Sequence, residues 1–318
     1  MAMYSIINLL CGIGLFLIGM TLMSEYTTLT FGEKLKDILS ALTKNKISGV
    51  LTGLGVTSVI QSSCATTVTA VSFVGAGILS LSGAVGIVMG ANIGTTVTSL
   101  IIAFNFSDVA PLAVFLGTIL KMFSKSEKLQ SAGMITVGFG LLFIGLNTMS
   151  AAFESLKDNP SFLSFVAKTD GKLQGVLTGL IMTAIMQSSS ATIGILQALS
   201  MRNIIPIDTA FYIILGQNIG AVIPVIISSV GANKTAKQVG VIHLLFNMIG
   251  TLIFLVLMEF VPFNHIFSFA GSGSMKISLF HITFNVVSTL LLLPTSDLLI
   301  KISEKLTVGF VFYKKKIS

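Results

Sequence analysis

Residues 46–67 read KISGVLTGLGVTSVIQSSCATT, and residues 172–193 read KLQGVLTGLIMTAIMQSSSATI. The two stretches agree at 13 of 22 positions without a gap, at an offset of 126 residues. The same offset relates GIGLFLIG at 12–19 to GFGLLFIG at 138–145, so the chain carries an internal duplication. Many secondary membrane transporters are built from such duplicated units, with both copies contributing to one substrate site.

Composition places the chain in a membrane. Hydrophobic residues make up 53% of the sequence and charged residues 10%, and the mean hydropathy is +0.95. A soluble domain carries about 25% charged residues. The net charge of +7 comes from lysines beside apolar stretches, and no nucleic-acid-binding motif accompanies it. We therefore predict an all-α integral membrane protein that contacts lipid and no nucleic acid.

Both copies of the duplication predict the same order of elements. An apolar span precedes a charged amphipathic stretch, a helical hairpin with a polar tip, and a span broken at two glycines. The hairpin arms are short for a span, which needs about 20 residues, so each hairpin is predicted to be re-entrant. In the first copy, residues 1–128, the predicted elements are a span at 4–23, an interfacial stretch at 33–46, a hairpin at 47–80, a broken span at 83–104 and a short span at 111–123.

The second copy, residues 129–260, repeats this order. Its predicted elements are a span at 133–149, a charged stretch reaching 172, a hairpin at 173–200, a broken span at 206–230 and a span at 239–260. Residues 261–318 add a final span at 277–293 and a basic tail. The total is seven spans and two hairpins.

This arrangement predicts inverted repeats. If each hairpin returns to its side of entry, one copy crosses the membrane three times, so the second copy is inserted upside down. Fourteen of the 19 Lys and Arg residues then fall on one side. Positive residues accumulate in cytoplasmic loops, so we expect that side to be cytoplasmic. The C-terminus is then cytoplasmic and the N-terminus extracytoplasmic.

The hairpin tips are the strongest candidate for a binding site. Gln61-Ser62-Ser63 and Gln187-Ser188-Ser189 put polar groups near mid-membrane, which is costly unless something binds there. Helices starting at about Cys64 and Ser190 would aim their N–H groups at a common centre. Such groups, together with hydroxyls, bind an anion without a cationic side chain. The alternative is that these hydroxyls only join neighbouring helices.

A second duplicated polar element follows each hairpin, Gly90-Ala-Asn92-Ile-Gly94 and Gly216-Gln-Asn218-Ile-Gly220. The glycines are expected to interrupt the helix and free carbonyl oxygens beside the Asn amide. In the first copy Thr95 or Thr96 adds a hydroxyl oxygen. Oxygen ligands of this kind hold Na+ in transporters with broken helices. The alternative is an Asn that bonds to a neighbouring helix.

Other motifs receive structural interpretations. The glycine pairs at 49 and 53 and at 175 and 179 are predicted to let helices pack closely. For His243 and His281, each four residues before an Asn, hydrogen bonding to a neighbouring element is favoured over proton relay. No Asp, Glu, Lys or Arg lies well inside a predicted span. This favours Na+ over H+ as the coupling ion, and we expect no cofactor, transition-metal site or enzyme activity.

The paired Gln-Ser-Ser motifs, each followed by Gly-x-Asn-Ile-Gly, together with the two later His-x-x-Phe-Asn motifs, resemble the type II sodium-phosphate cotransporter family from Gly12 to about Leu293. The resemblance implies a symporter that draws inorganic phosphate into the cell with Na+ by alternating access. It implies phosphate contacts from hydroxyls at the two tips, namely Ser62, Ser63, Thr66, Ser188, Ser189, Ser190 and Thr192. It implies cation sites lined by Gln61, Asn92, Thr95, Gln187 and Asn218.

Some points stay open at this stage. Cys64 stands where the second copy has Ser190, so we expect the symmetry of the site to fail there first. Another oxyanion or a dicarboxylate is an alternative substrate, and a channel or a phosphate sensor is an alternative function. Many bacterial members of the family carry a soluble domain similar to a phosphate-signalling regulator. Such a regulator and a second copy of this chain are therefore candidate partners.

Overall fold

The computed structural model describes residues 2–43, 45–169 and 171–315, with side chains described for all of them except residues 2, 165 and 308–315. The first copy forms α1 (Ala2–Leu42), α2 (Lys46–Ile60), α3 (Ser63–Gly75), α4 (Leu81–Ala103) and α5 (Ala110–Phe123). The second forms α6 (Glu127–Leu156), α7 (Pro160–Ala167), α8 (Lys172–Met186), α9 (Ser189–Ser200), α10 (Ile207–Gly220), α11 (Ile223–Ser229) and α12 (Lys234–Phe260). The remaining helices are α13 (Phe263–Ile266), a 3-10 turn (Phe267–Ala270), α14 (Gly273–Leu292) and α15 (Ser296–Lys315).

The predicted class, an all-α membrane protein, is confirmed. Within the described residues, six segments are long and apolar enough to cross a membrane: Met3–Leu42, Leu81–Ala103, Glu127–Leu156, Ile207–Ser229, Lys234–Phe260 and Gly273–Leu292. The seventh predicted span corresponds to α5, which has 14 residues and falls below that length. The two predicted hairpins correspond to the helix pairs α2–α3 and α8–α9. Their re-entry into a membrane and the opposite insertion of the copies stay predictions.

Two predicted segments join into one helix. α1 continues for 41 residues from the predicted first span through the predicted interfacial stretch to Leu42, and where the span ends within it stays a prediction. Gly12 and Gly19 of α1 pack against α6, whereas Leu35 and Leu39 pack in a second buried cluster, so tertiary contacts stabilise the helix beyond its apolar part. The basic tail is helical as well, since α15 covers Ser296–Lys315, while Lys44 and Lys316 lie outside the described residues.

The break predicted in both copies occurs in only one. α4 is continuous through Gly90 and Gly94, whereas the second copy stops at Gly220 and restarts at Ile223. The cause is Pro224, near the start of α11, which has no N–H to donate and clashes with the carbonyl four residues earlier. At the offset of 126 residues the first copy has Thr98 instead, which a helix accommodates.

The glycines act in packing rather than in breaking helices. A Cβ added at Gly53 would lie 2.3 Å from the Ile87 carbonyl oxygen, and one at Gly90 would lie 2.0 Å from the Val50 carbonyl oxygen. The second copy repeats this contact, since a Cβ at Gly179 would lie 1.9 Å from the Ile213 carbonyl oxygen. The helix pairs α2–α4 and α8–α10 therefore meet backbone to backbone, as close-packed membrane helices do.

Equivalent helices of the two copies, α1 and α6, pack against each other and run antiparallel. A Cβ at Gly12 would lie 2.9 Å from the Gly145 carbonyl oxygen, and one at Gly19 would lie 2.6 Å from the Gly138 carbonyl oxygen. Early residues of α1 thus meet late residues of α6, and the reverse. The glycines of α1 thus pack against the equivalent glycine pattern of α6, and this contact joins the two halves of the chain.

The outer surface of α12 is apolar and its inner face is polar. Leu252, Val256 and Phe260 are exposed, whereas His243 and Asn247 are buried. Placing apolar residues outward and hydrogen-bonding residues inward is the pattern that lipid surroundings require. On α12, His243 and Asn247 therefore face the inside of the bundle.

Candidate functional site

Each hairpin turns at a Gln-Ser pair, and the two turns have the same backbone geometry. The first turn, Gln61-Ser62, joins α2 to α3, and the second turn, Gln187-Ser188, joins α8 to α9. Both glutamines end a helix in the left-handed region, with φ of 61° and 51°, where few residues other than glycine lie. Such backbone outliers concentrate at functional sites.

The serine of each turn starts the next helix. Ser62 Oγ accepts a hydrogen bond from the Ala65 N–H at 3.2 Å, and Ser188 Oγ accepts one from the Ala191 N–H at 3.2 Å. Each serine is therefore an N-cap. The caps leave the first two N–H groups of α3 and of α9 without intrahelical acceptors, so they are available to a ligand at the helix start.

A threonine pair fixes the angle between the arms of each hairpin. Thr57 Oγ1 donates to Thr66 Oγ1 at 2.9 Å, and the hydroxyls of Thr183 and Thr192 lie 2.9 Å apart. All four side chains are buried. Thr66 and Thr192, predicted to contact phosphate, thus lie between the arms and do not line the cavity described next.

The two turns face one cavity of about 310 Å³. Eight of the twelve predicted site residues line it: Gln61, Ser62, Ser63, Thr95, Gln187, Ser188, Ser189 and Ser190. The other lining residues are Met20, Thr21, Ser24, Glu25, Cys64 and Ala221. No Lys, Arg or His of the described residues lines it. Two helix N-termini and several hydroxyls therefore converge on a space that can hold a small oxyanion.

The first turn is tied to α4. Gln61 is buried, and its Oε1 accepts a hydrogen bond from Thr98 Oγ1 at 2.7 Å. Thr95 Oγ1 donates to Ser63 Oγ at 3.3 Å. Because α4 is continuous, both threonines are fixed on a rigid helix, and the first turn is held in place by bonds between side chains.

The second turn lacks the equivalent side-chain hydrogen bonds within the described residues. Gln187 is exposed, and neither its side chain nor that of Ser189 forms a hydrogen bond within the described part of the chain. At the positions equivalent to Thr95 and Thr98 the second copy has Ala221 and Pro224, which lack side-chain donors. The predicted loss of symmetry at Cys64 and Ser190 is therefore accompanied by two larger differences in the neighbouring helix.

The two asparagines predicted to bind cations lie behind the cavity. Asn92 Nδ2 donates to the Val88 carbonyl oxygen at 2.8 Å and lies 3.0 Å from His243 Nε2 on α12. Asn218 Nδ2 donates to the Ile214 carbonyl oxygen at 2.8 Å. Both are buried and neither lines the cavity. The alternative stated for Asn92, a bond to a neighbouring helix, is therefore what the structure has.

The expectation for the two histidines holds for one of them. His243 bonds to Asn92, as predicted for hydrogen bonding between helices. His281 is fully buried, and neither of its ring nitrogens has a hydrogen-bond partner among the described residues. Nothing in the packing of α14 explains why an unpaired imidazole is placed there.

Sequence reasoning missed Glu25. The predicted first span ended at Met23, so this carboxylate was placed outside the membrane segment. In the continuous helix α1 it instead lines the cavity with Thr21 and Ser24, one helical turn from Met20 and Thr21. Glu25 thus belongs to the helical segment Met3–Leu42, which is long and apolar enough to cross a membrane, although it lies beyond the predicted span. The sequence did hold a signal for Glu25, because this residue follows the predicted end of the first span, Met23, after only one other residue.

The family follows from a comparison of the whole chain. The family model described as Na+/Pi-cotransporter matches residues 15–151 and 158–289. The chain belongs to the Na+/Pi-cotransporter family. The two matched segments contain the first and the second turn, respectively. This family consists of transporters rather than enzymes, and membership confirms the resemblance read from the Gln-Ser-Ser motifs.

Several relatives are similar over part or most of the chain. YjbB of Escherichia coli O157:H7, for which inorganic phosphate export is the proposed activity, is 30% identical over 83% of this chain and 48% of its own length. YqeW of Bacillus subtilis (strain 168), an uncharacterised protein, is 29% identical over 74% of this chain and 76% of its own. Sodium-dependent phosphate transport protein 2A of Ovis aries is 38% identical over 28% of this chain and 14% of its own. This chain spans about half the length of YjbB, and no solved structure matches it.

Proposed function

We propose that this protein is a secondary transporter that moves inorganic phosphate together with Na+ and holds the phosphate between its two turns. The observation that carries this proposal is the single cavity lined by both Gln-Ser-Ser motifs. Membership of the Na+/Pi-cotransporter family supports phosphate and Na+ as the cargo. The named activities of YjbB and of transport protein 2A support phosphate in particular.

The chemistry of the cavity suits an anion whose charge is balanced by a cation. Hydroxyls and helix N-termini supply donors, but no cationic side chain from the described part of the chain lines the site. An anion in low-dielectric surroundings without a counter-charge is costly. We therefore propose that Na+ binds first, at oxygens of Gln61, Thr95 and Gln187 with Asn92 and Asn218 behind them, and that divalent phosphate follows.

Alternating access is supported by the arrangement of the copies. α1 and α6 are equivalent helices that pack antiparallel, as inverted repeats would place them. We propose that the hairpins re-enter the membrane from opposite faces and that their movement exposes the cavity to each side in turn. A symporter runs in either direction, so the gradients set whether phosphate is imported, as we expect, or exported, as proposed for YjbB.

Transport in proteoliposomes tests this proposal. An inward Na+ gradient should drive saturable phosphate accumulation against its own gradient, and an outward Na+ gradient should drive efflux. Accumulation that persists without a Na+ gradient, under a pH gradient alone, would overturn Na+ coupling. Flux that never exceeds equilibrium would indicate a channel, and phosphate binding without flux would indicate a sensor. Competition by sulfate and dicarboxylates separates phosphate from the alternative substrates.

A further inference from the structure

Among the described residues, one carboxylate, that of Glu25, lines the cavity. Met20, Thr21, Ser24 and Glu25 occupy one face of α1, at the spacing that places side chains one turn apart, and all four line the space between the turns. Glu25 is exposed and therefore lies on the open side of the cavity. Its position makes it a neighbour of any oxyanion held by the two turns.

Glu25 lacks a cationic partner among the residues that the structure describes. None of the five ion pairs in that part of the chain includes Glu25, and none of its Lys, Arg or His residues lines the cavity. A carboxylate only accepts hydrogen bonds. An anion bound beside it is therefore repelled unless that anion brings a proton that it can donate to the carboxylate.

Only the first copy has a carboxylate at this position. At the offset of 126 residues the second copy has Ala151, on α6, which does not line the cavity. The carboxylate is thus not part of the duplicated framework of turns, caps and glycines. The duplicated side chains at the site are uncharged, whereas Glu25 adds a negative charge at one edge.

We propose that Glu25 selects protonated oxyanions by accepting a hydrogen bond from the P–OH group of phosphate. Inorganic phosphate carries at least one such proton at neutral pH, whereas sulfate carries none. A site placed to bond a ligand hydroxyl discriminates against an analogue that lacks it, because that analogue cannot form the bond. For sulfate, repulsion from the carboxylate adds to that loss. This inference rests on the proposed function. Hydroxyls and helix N-termini do not distinguish phosphate from sulfate, whereas Glu25 does.

Competition binding tests the selector. Purified protein in Na+ buffer is titrated with labelled phosphate in the presence of sulfate or of arsenate, which keeps an As–OH proton. The variants are Glu25→Gln, the charge-conserving Glu25→Asp, and Glu33→Gln as a control on the same helix. Glu33 is exposed and does not line the cavity.

We expect sulfate to compete poorly in the wild type and in Glu33→Gln. Glu25→Gln should lower the preference for phosphate over sulfate by about tenfold or more, since one bond to a charged acceptor is lost. Arsenate should compete in every variant, and Glu25→Asp should keep most of the preference.

Two results would overturn the inference. One is an unchanged preference in Glu25→Gln. The other is a loss of Na+ affinity in that variant at an unchanged phosphate-to-sulfate ratio, which would make Glu25 a cation ligand instead. Failure of the proposed function looks different, because the wild-type protein would then bind no phosphate in Na+ buffer. Retained phosphate binding in Glu25→Gln also shows that the variant is folded.

Discussion

The first and the second turn share a backbone but differ in what holds them. Both have a left-handed Gln, a capping Ser and a threonine pair between the arms. Only the first is bonded to a continuous helix, through Thr95 and Thr98. A duplicated motif therefore fixes the shape of a site, while residues outside the motif decide which half is rigid.

The largest effects should come from the packing that both copies share. Gly90→Ala and Gly216→Ala place a Cβ 2.0 Å and 1.7 Å from backbone oxygens of Val50 and Val176. Each should destabilise the protein by several kcal/mol, of the order of 3 or more, because two helix backbones must separate. Thermal unfolding in detergent measures this. Gly55→Ala is the control, since nothing lies within 4 Å of an added Cβ. Equal losses of stability in all three variants would contradict the packing role of Gly90 and Gly216.

The serines should show the next largest effect, on phosphate affinity rather than stability. Ser63→Ala and Ser189→Ala each remove a hydroxyl that lines the cavity. Loss of a hydrogen bond to a charged ligand should weaken phosphate binding by about tenfold to a hundredfold. Ser189→Ala should lose more, because Ser63 is already bonded to Thr95.

Equilibrium binding of labelled phosphate checks the serine prediction. Ser72→Ala is the control, since Ser72 on α3 is exposed and bonds only to the Val68 carbonyl oxygen of its own helix. Wild-type affinity in Ser189→Ala alone would assign the anion to the first turn and remove the second from the site.

A smaller effect should follow from removing the hydrogen bond between the first turn and α4. Thr98→Val leaves the buried Gln61 amide oxygen without its donor, which costs about 1–3 kcal/mol. The melting temperature should fall by several degrees. Thr118→Val on α5 is the matched control, because that hydroxyl is exposed and bonds within its own helix. A Thr98→Val protein as stable as Thr118→Val would show that the first turn is not held by α4.

The smallest effect on stability is expected at the second turn. Gln187→Ala should change the free energy of unfolding in Na+-free buffer by no more than about 0.5 kcal/mol, because this side chain is exposed and unbonded. The rise in melting temperature on adding Na+ should nevertheless shrink if Gln187 is a cation ligand. An unchanged Na+-induced rise would remove Gln187 from the cation site.

The sequence predicted features that depend on local residues. The hairpins, their caps and their meeting at one cavity follow from a motif repeated at a fixed offset. Close packing at Gly53 and Gly179 follows from small-residue spacing. The continuous helix in the first copy and the break in the second also follow from a local residue, because Pro224 stands where the first copy has Thr98.

Features that depend on the register between helices could not be predicted. The bond from Thr98 to Gln61 joins residues 37 positions apart on different helices. Glu25 faces the cavity only because α1 stays helical past Met23 while packed on α6. A hydropathy pattern predicts that a span ends where polar residues begin. The helix itself continues for as long as tertiary contacts stabilise it.

The central claim is that both turns hold one phosphate. Calorimetric titration of the wild type, Ser63→Ala and Ser189→Ala with phosphate in Na+ buffer tests it most directly. One phosphate per chain in the wild type, with affinity weakened in both variants, is the predicted result. Two phosphates per chain in the wild type, with each variant retaining one at full affinity, would contradict it.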